Sequence, residues 1–427
     1  MRKALLAVLV LLAIGVPFLW FVGLPLFSAD QQVTVDKAWA ASSLGAIQLL
    51  PKAFPKTETN GTARVLEKLG AELGIDLAPR AETAAAHPTK ERAKAFDAVR
   101  QELETYLTAQ LERPDPMIAP LPAKVRAFGD ANEAGIAAFA TALVERPSPV
   151  WSCDVSRLFD APLPNLLGHL KAQRLLVSLS LAKSLDGKLA GADRLLHASD
   201  RLNESLRIRP DLISQIISNA ADRMLVGALR KVPVDASFWL PPLALRPRER
   251  MLTALKAEAW LARALGERQY PETSLGERVR GAIRRPWDRM AAVAFQDGYR
   301  AAIEVAAKSP VSDGSAALLE QAFTQGVRSH GPFTDPALAN VFTSWKRADR
   351  LALDIELTRK VLEARIARGG AASWPADLPG VETTALAGAK WVYAVSPDGA
   401  MSLALDRELR WPDQKGPVLP TRFTAPR

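Results

Sequence analysis

The chain has few of the residues that usually carry covalent or metal chemistry. It contains one cysteine, Cys153, and four histidines in 427 residues. A single cysteine excludes an internal disulfide, and we interpret this thiol as a small buried hydrophobic group. The sequence has no Cys-x-x-Cys, His-Glu-x-x-His or Gly-x-Ser-x-Gly motif and no glycine-rich phosphate loop. We therefore predict no cofactor, no metal site and no catalytic residue.

Two weaker patterns keep catalysis open as an alternative. His169 and His197 fall on helices that we expect to be antiparallel, so they can converge, although structural histidines are the more common interpretation. Ser180 and Lys183 have Ser-x-x-Lys spacing without the accompanying motifs of penicillin-binding enzymes.

Carboxylates on the predicted long C-terminal helix give the clearest form of that alternative. Asp349 and Glu356 are seven residues apart on one face, and Glu320 can approach them, which would suit an acid pair for glycan cleavage. Pairing with nearby arginines on the same helix explains the same residues. An envelope hydrolase, such as a peptidoglycan-active enzyme, is thus the alternative function.

Long uncharged runs are also scarce, and the one present, residues 4–27, is long enough to cross a bilayer. Arg2 and Lys3 precede it, which favours a cytoplasmic N-terminus. Phe27 stands where a signal-peptidase site needs a small residue, so we favour a retained anchor over a cleaved signal. We predict a single-pass protein of the inner membrane of a Gram-negative-like bacterium, with residues 1–29 as the anchor and the rest extracytoplasmic.

The charge is unbalanced towards the basic side, with a formal net charge of +9 and a pI near 9.7. This suits anionic lipid headgroups, an acidic envelope polymer or an acidic protein. Nucleic acid would match the charge but not the compartment, so we expect none. The candidate binding residues are two arginine clusters, Arg246, Arg248 and Arg250, and Arg278, Arg280, Arg284, Arg285 and Arg289. The alternative is that both clusters form solvated helix faces.

Helical periodicity predicts a mainly α fold after the anchor. We divide it into a first helical region (30–160), a helical core (161–270), a second helical region with a long helix (271–369) and a C-terminal module (370–427). The core should contain three antiparallel helices, Asn165–Leu185, Leu189–Leu206 and one that begins at Pro210-Asp211. We expect a small-residue helix at Asp130–Glu145.

The second helical region should begin with a basic linker after Pro271. A helix should then run from Pro286 to Lys308, and a short one over Ser315–Arg328. The longest soluble helix should begin at Asp335-Pro336 and end at Gly369.

The C-terminal module changes from helical to strand periodicity. Lys390–Val395 and Ala400–Leu405 flank Ser396-Pro-Asp-Gly399, which predicts a β-hairpin. The proline-containing end, Trp411–Arg427, should form an extended tail that is laid over the domain or mobile.

Two resemblances accompany these patterns. The segments Asn165-Leu-Leu-Gly-His-Leu170, Ala190-Gly-Ala192 and Arg209-Pro-Asp-Leu-Ile213 resemble uncharacterised bacterial single-pass, membrane-anchored helical proteins, which implies no activity. The long helix, Trp374-Pro-Ala-Asp-Leu378 and the hairpin loosely resemble the C-terminal half of type II secretion pseudopilins. The charged cleavage site and glutamate expected at the start of that family are absent here. That likeness implies a component of a secretion or pilus apparatus.

The preferred function is a non-enzymatic scaffold or binding protein of the cell envelope. Residues 4–27 would contact the lipid bilayer, and a helical groove with basic patches would hold an envelope protein or another anionic envelope component. Converging carboxylates, or a serine with a histidine, would favour the hydrolase instead. A hairpin that packs on the long helix as one module would favour the secretion or pilus apparatus.

Overall fold

The computed structural model describes residues 33, 37, 50–79, 86–266, 274–312, 314–328, 339–407, 409 and 420–427. The fold is mainly helical, with 65% helix and a small three-stranded antiparallel sheet near the C-terminus. The predicted mainly α class with a C-terminal hairpin is therefore confirmed. Within the described ranges, no helix is both long and apolar enough to cross a membrane. The predicted anchor, 4–27, lies outside those ranges.

The first half of the chain contains helices α1 Leu50–Ala53, α2 Gly61–Glu72, α3 Lys90–Glu112, α4 Ala123–Ala131, α5 Glu133–Glu145, α6 Leu166–Leu185, α7 Leu189–Arg207 and α8 Leu212–Leu229, with a 3₁₀ segment at Val155–Asp160. The three predicted core helices are confirmed as α6, α7 and α8. The turn between α6 and α7 uses Gly187 at a φ of +75°, which a residue with a Cβ rarely adopts. The predicted helix Asp130–Glu145 is wrong at its start, because the chain breaks at Asn132 into α4 and α5.

The second half contains α9 Ala236–Trp239, α10 Pro247–Gly266, α11 Leu275–Lys308, α12 Ser315–Arg328 and α13 Ala339–Arg368. The predicted basic linker before Pro286 is wrong, since α11 already begins at Leu275. Ser274 and Glu277 cap it reciprocally: the Ser274 Oγ accepts the Glu277 N–H at 3.2 Å, and a Glu277 carboxylate oxygen accepts the Ser274 N–H at 3.1 Å. The helix continues through Pro286.

Helix α11 has 34 residues, and the described part of α13 has 30. The predicted start of α13, Asp335-Pro336, lies outside the described residues, whereas its predicted end at Gly369 is confirmed by a φ of +51°.

Helix α13 joins three hydrophobic cores that the described residues form. Different residues of this helix pack in each core. The first core contains Leu351, Ile355 and Leu362, and the second contains Phe342, Trp345 and Ala348. The third contains Leu353, Leu357 and Val361. The first core also contains residues from α2, α5, α6 and α8, so helices on both sides of residue 160 share it. The second core is formed mainly by α10, α11 and α12, and the third by the sheet.

The sheet has the order β1-β2-β3, with β1 Trp391–Val395, β2 Met401–Leu405 and β3 Arg422–Ala425. The predicted hairpin is confirmed: β1 and β2 are antiparallel, with Trp391 opposite Leu405. Of the two options for the tail, its described end agrees with a tail laid over the domain, since it adds β3 beside β2, where Phe423 is 2% exposed. The Thr424 N–H also donates to the Pro114 carbonyl at 2.8 Å, which ties the sheet to the loop after α3.

Candidate functional site

Helices α3, α6, α8 and α13 surround a groove that contains a cavity of about 270 Å³. We call it the α8 groove, because α8 supplies more of its lining than the other helices. Its apolar lining includes Leu107, Leu111, Leu170, Ile216, Ile217 and Met224, and its rim carries Glu104, Arg174, Arg223 and Arg347. Small-molecule sites usually have about 300–1,000 Å³, so this cavity suits one or two apolar anchoring groups.

The sequence of α8 gives this helix two apolar faces. Asp211 caps its start by accepting the Ser214 N–H at 2.8 Å. Leu225, Val226 and Leu229 are buried in the first core, while Ile216 and Ile217 line the groove and are half-buried. A helix with apolar residues on both sides buries one side in the core and leaves the other for a second contact.

The rim of the α8 groove carries more positive than negative charge. The Arg174 Nη2 lies 2.9 Å from the Glu104 carboxylate, and the Arg223 Nε lies 3.6 Å from Asp354. Arg347 is exposed at the rim. Guanidinium groups bind carboxylate and phosphate through paired hydrogen bonds. Arg347, the exposed arginine of the rim, therefore favours an acidic group beside an apolar anchor.

A buried carboxylate behind the rim holds α8 against α13. Asp354 is 1% exposed and lies within 3.6 Å of Arg223, Arg230 and Arg350. Arg230 also donates to the Thr358 hydroxyl at 2.8 Å, and its burial lowers its pKa to about 10. Buried ion pairs of this kind contribute more to a unique arrangement than to net stability. They set the position of Arg223 relative to Arg347.

Two of the three arginines of the first predicted cluster form ion pairs inside the fold. The Arg248 Nε lies 2.9 Å from Asp349, and the Arg250 Nη2 donates to Asp222 at 2.6 Å. Both acceptors are fully buried, so these arginines neutralise charges inside the fold. Arg246 is 72% exposed and pairs with Glu249 at 3.2 Å.

The second predicted cluster lies on α11. Arg284 and Arg285 are exposed and Arg289 is half-buried. The side chains of Arg278 and Arg280 lie outside the described part of the structure. The two clusters therefore differ. Two of the three arginines in the first cluster form internal ion pairs, whereas Arg284 and Arg285 in the second are exposed to solvent.

The histidines named from the sequence have separate surroundings. His169 is fully buried, with its ring edge-to-face against Trp151 at 4.5 Å between centroids, and its burial lowers its pKa to about 3. His197 lies beside Phe238 and places its Nε2 3.4 Å from Asp193. Among the residues that the structure describes, no group of three or more His, Cys, Asp or Glu side chains is arranged to hold a metal ion.

The carboxylates named from the sequence also bind different partners. Burial raises the pKa of Asp349 to about 6, and this carboxylate contacts Ser315 and Arg248. Glu356 accepts hydrogen bonds from Thr384 and Trp391 in the third core. Glu320 is exposed. The arrangement offers no acid pair around a common substrate position.

The remaining nucleophile candidates are not activated. The Ser180 hydroxyl donates to the Val177 carbonyl at 2.8 Å, and the Lys183 Nζ pairs with Glu133 at 3.1 Å. Burial raises the pKa of the Cys153 thiol, which disfavours the reactive thiolate.

Comparison with protein-family models, with curated proteins and with solved structures finds no match for this chain. The candidate site therefore rests on its own geometry.

Sequence reasoning missed the rim arginines. Arg174, Arg223 and Arg347 come from three different helices, each within a mainly apolar or mixed segment. In α8, Arg223 directly follows Asp222, and nothing in the surrounding sequence shows that this arginine lies near the other two.

Proposed function

We propose that the protein is a membrane-anchored, extracytoplasmic binding protein of the bacterial cell envelope, without catalytic activity. In this proposal the α8 groove holds an acidic envelope protein. The partner inserts one or two apolar side chains between α3 and α8 and places a carboxylate against the arginine rim. The observation that supports this most directly is the apolar cavity edged by Arg174, Arg223 and Arg347.

Binding is favoured over hydrolysis because the groove has anchors without reacting groups. Glu104 is the only carboxylate among the residues that line it, and it is paired with Arg174. A central apolar pocket surrounded by charged groups is typical of the anchor points that dominate protein–protein affinity. Rim charges of one sign select the partner and speed its approach.

A second candidate, a component of a secretion or pilus apparatus, is favoured by one observation. The buried face of the sheet packs on α13, with Trp391 and Phe423 beside Leu357 in the third core. A component of such an apparatus would use the sheet and α13 as one structural module. However, α13 also enters the two other cores, so removing this module would disturb the whole fold.

Site-specific photocrosslinking in intact cells tests the proposed binding function. A photoreactive residue replaces Ile217, which lines the groove, in the full chain. The matched control replaces Ile213, which lies one turn earlier on α8 and is 55% exposed outside the groove. We expect a captured protein from position 217 and much less from position 213, with an acidic peptide at the crosslink. Equal capture from both positions, or capture of lipid or glycan alone, would contradict the proposal.

A further inference from the structure

A polar cleft opens between the C-terminal half of α13 and the loop that precedes β1. Its volume is about 570 Å³, and its walls are residues 356–363 of α13 and residues 379–385 of the loop. We call it the α13 cleft. Small-molecule sites usually have about 300–1,000 Å³, so the cleft has room for a small polar ligand.

Glu356 holds the loop against α13 and so fixes the two walls of the cleft. One oxygen of its carboxylate accepts the Ala385 N–H at 2.7 Å. The other accepts the Thr384 hydroxyl at 2.7 Å and the Trp391 Nε1–H at 3.0 Å. Because three donors occupy this carboxylate, it serves the fold and is not a free acceptor for a ligand.

Lys360 lies one helical turn after Glu356, and its ammonium is incompletely paired. Lys360 is 7% exposed and lines the cleft. Its Nζ donates to the Thr383 hydroxyl at 3.4 Å, and among the described residues it has no other hydrogen bond and no ion pair. An ammonium group has three donors, so two remain for a ligand. Burial lowers the pKa of Lys360 although Glu356 and Glu363 oppose that shift, so its charge is poorly compensated.

A second cation, Arg359, lines the same cleft and is exposed. Within the described part of the chain its guanidinium forms no ion pair. Glu363 also lines the cleft and is half-buried, and its carboxylate accepts no hydrogen bond from the described residues. The charged groups that are left for a ligand are therefore two cations and one carboxylate, which favours an anion.

We infer that the α13 cleft binds the phosphate group of a small phosphate ester. The guanidinium of Arg359 can present paired N–H donors to two phosphate oxygens, and the ammonium of Lys360 adds a compact point charge. A phosphate monoester carries about 1.5–2 negative charges near pH 7, which suits two cations better than a singly charged carboxylate does. The volume of the cleft leaves room for the alcohol that carries the phosphate.

This site is separate from the α8 groove. Helix α13 contributes Ser344 and Arg347 to the groove, whereas the cleft begins at Glu356, about 14 Å further along the helix axis. The inference does not depend on the acidic protein partner proposed above. Either proposal can fail while the other stands.

Isothermal titration calorimetry of the full chain in dodecyl maltoside tests the inference. The probe is glycerol 3-phosphate, and acetate is the singly charged comparison. We expect acetate to bind at least about tenfold more weakly than glycerol 3-phosphate. The variant Arg359→Gln should weaken glycerol 3-phosphate binding by about tenfold or more, because it removes a charge-assisted contact. The control Lys390→Gln, at an exposed position outside the cleft, should bind as the unchanged chain does.

The variant Glu363→Gln makes the test specific. It removes the unoccupied negative charge of the cleft, so glycerol 3-phosphate should bind about threefold more tightly. A variant that only loosens the fold would not gain affinity. Weaker binding by Glu363→Gln, binding that Arg359→Gln leaves unchanged, or equal binding of acetate would each overturn the inference.

A second measurement distinguishes a soluble ester from a lipid headgroup. Hydrogen–deuterium exchange of residues 379–385 is compared in nanodiscs of phosphatidylcholine with and without phosphatidic acid. Calorimetric binding of glycerol 3-phosphate supports a soluble ester. Slower exchange with phosphatidic acid, without calorimetric binding, supports a lipid phosphate, provided that Arg359→Gln abolishes the difference. The absence of both signals would overturn the inference.

Discussion

His169 is a buried titratable side chain beside the first core, and replacing it with leucine should change how the stability of the protein depends on pH. The imidazole projects from α6 and is fully buried against Trp151. Neither ring nitrogen has a hydrogen-bond partner among the described residues. Burial, together with the nearby charge of Arg209, lowers the pKa of His169 to about 3. The folded protein therefore keeps this ring neutral at pH values where the unfolded chain protonates it.

The sign and size of the effect follow from linkage. The pKa of a histidine in an unfolded chain is about 6.5, above the folded value of about 3. The unfolded state then binds more protons, so stability is complete above pH 6.5 and falls as the pH decreases towards 3. One group contributes a slope of up to about 1.4 kcal/mol per pH unit, or about 2.7 kcal/mol between pH 7.5 and pH 4.5.

Urea unfolding of the full chain and of His169→Leu, followed by far-ultraviolet circular dichroism, measures this difference. At about pH 7.5 we expect the variant to be up to roughly 2 kcal/mol more stable. The replacement removes two unpaired buried polar atoms, which stabilises the fold, and this gain outweighs the loss of the ring contact with Trp151. At about pH 4.5 its advantage should grow by about 2.7 kcal/mol. Burial raises the pKa of Glu258 to about 7. Groups of this kind titrate in both proteins, so their contributions cancel in the stability difference between them. A pH-independent difference would refute the reasoning.

Three further predictions concern the fold. Arg250→Ala should lower the free energy of unfolding by about 3 kcal/mol, because Asp222 stays buried and keeps only Arg207 as an ion-pair partner. The exposed control Arg246→Ala should lower it by less than about 1 kcal/mol, and urea unfolding measures both. Gly168→Ala should strongly lower the melting temperature, because the added Cβ would lie 1.6 Å from the Asp76 carbonyl oxygen. Gly191→Ala is the control, since its Cβ would meet only the flexible Lys183 side chain. An unchanged melting temperature for Gly168→Ala would contradict the described packing of α6 on Asp76. Phe423→Ala should lower the free energy of unfolding by about 3–5 kcal/mol, since this ring is buried in the third core. Arg422→Ala, at the exposed neighbouring position, should change it little. Equal effects would mean that β3 does not pack as described.

Local patterns predicted the helices whose ends carry strong signals. Asp186-Gly187 and Asp211 mark the boundaries of α6, α7 and α8, and the structure places them there. The start of α11 was missed because Pro271 and several arginines resembled a linker. The capping pair Ser274 and Glu277 outweighed that composition. The short strand β3 was missed since two buried residues, Phe423 and Ala425, are too few to show a period of two.

The candidate site was less predictable, because it depends on contacts between distant segments. Arg248 and Arg250 form part of a basic run in the sequence, and their carboxylate partners Asp349 and Asp222 lie on other helices. A sequence alone does not show which cations such carboxylates neutralise. In the same way, Arg174 and Arg347 meet at one rim although they are far apart in the chain.

The α8 groove is tested most directly by reversing one rim charge and measuring capture from inside the groove. The measurement is the yield of crosslinked protein from a photoreactive residue at position 217, with Arg347→Glu compared with the distant exposed control Arg246→Glu. We expect Arg347→Glu to lower the yield by about fivefold or more, because it replaces an attractive rim charge with a repulsive one. The control should leave the yield unchanged. Equal yields for both variants would contradict the proposal that the arginine rim recognises an acidic partner.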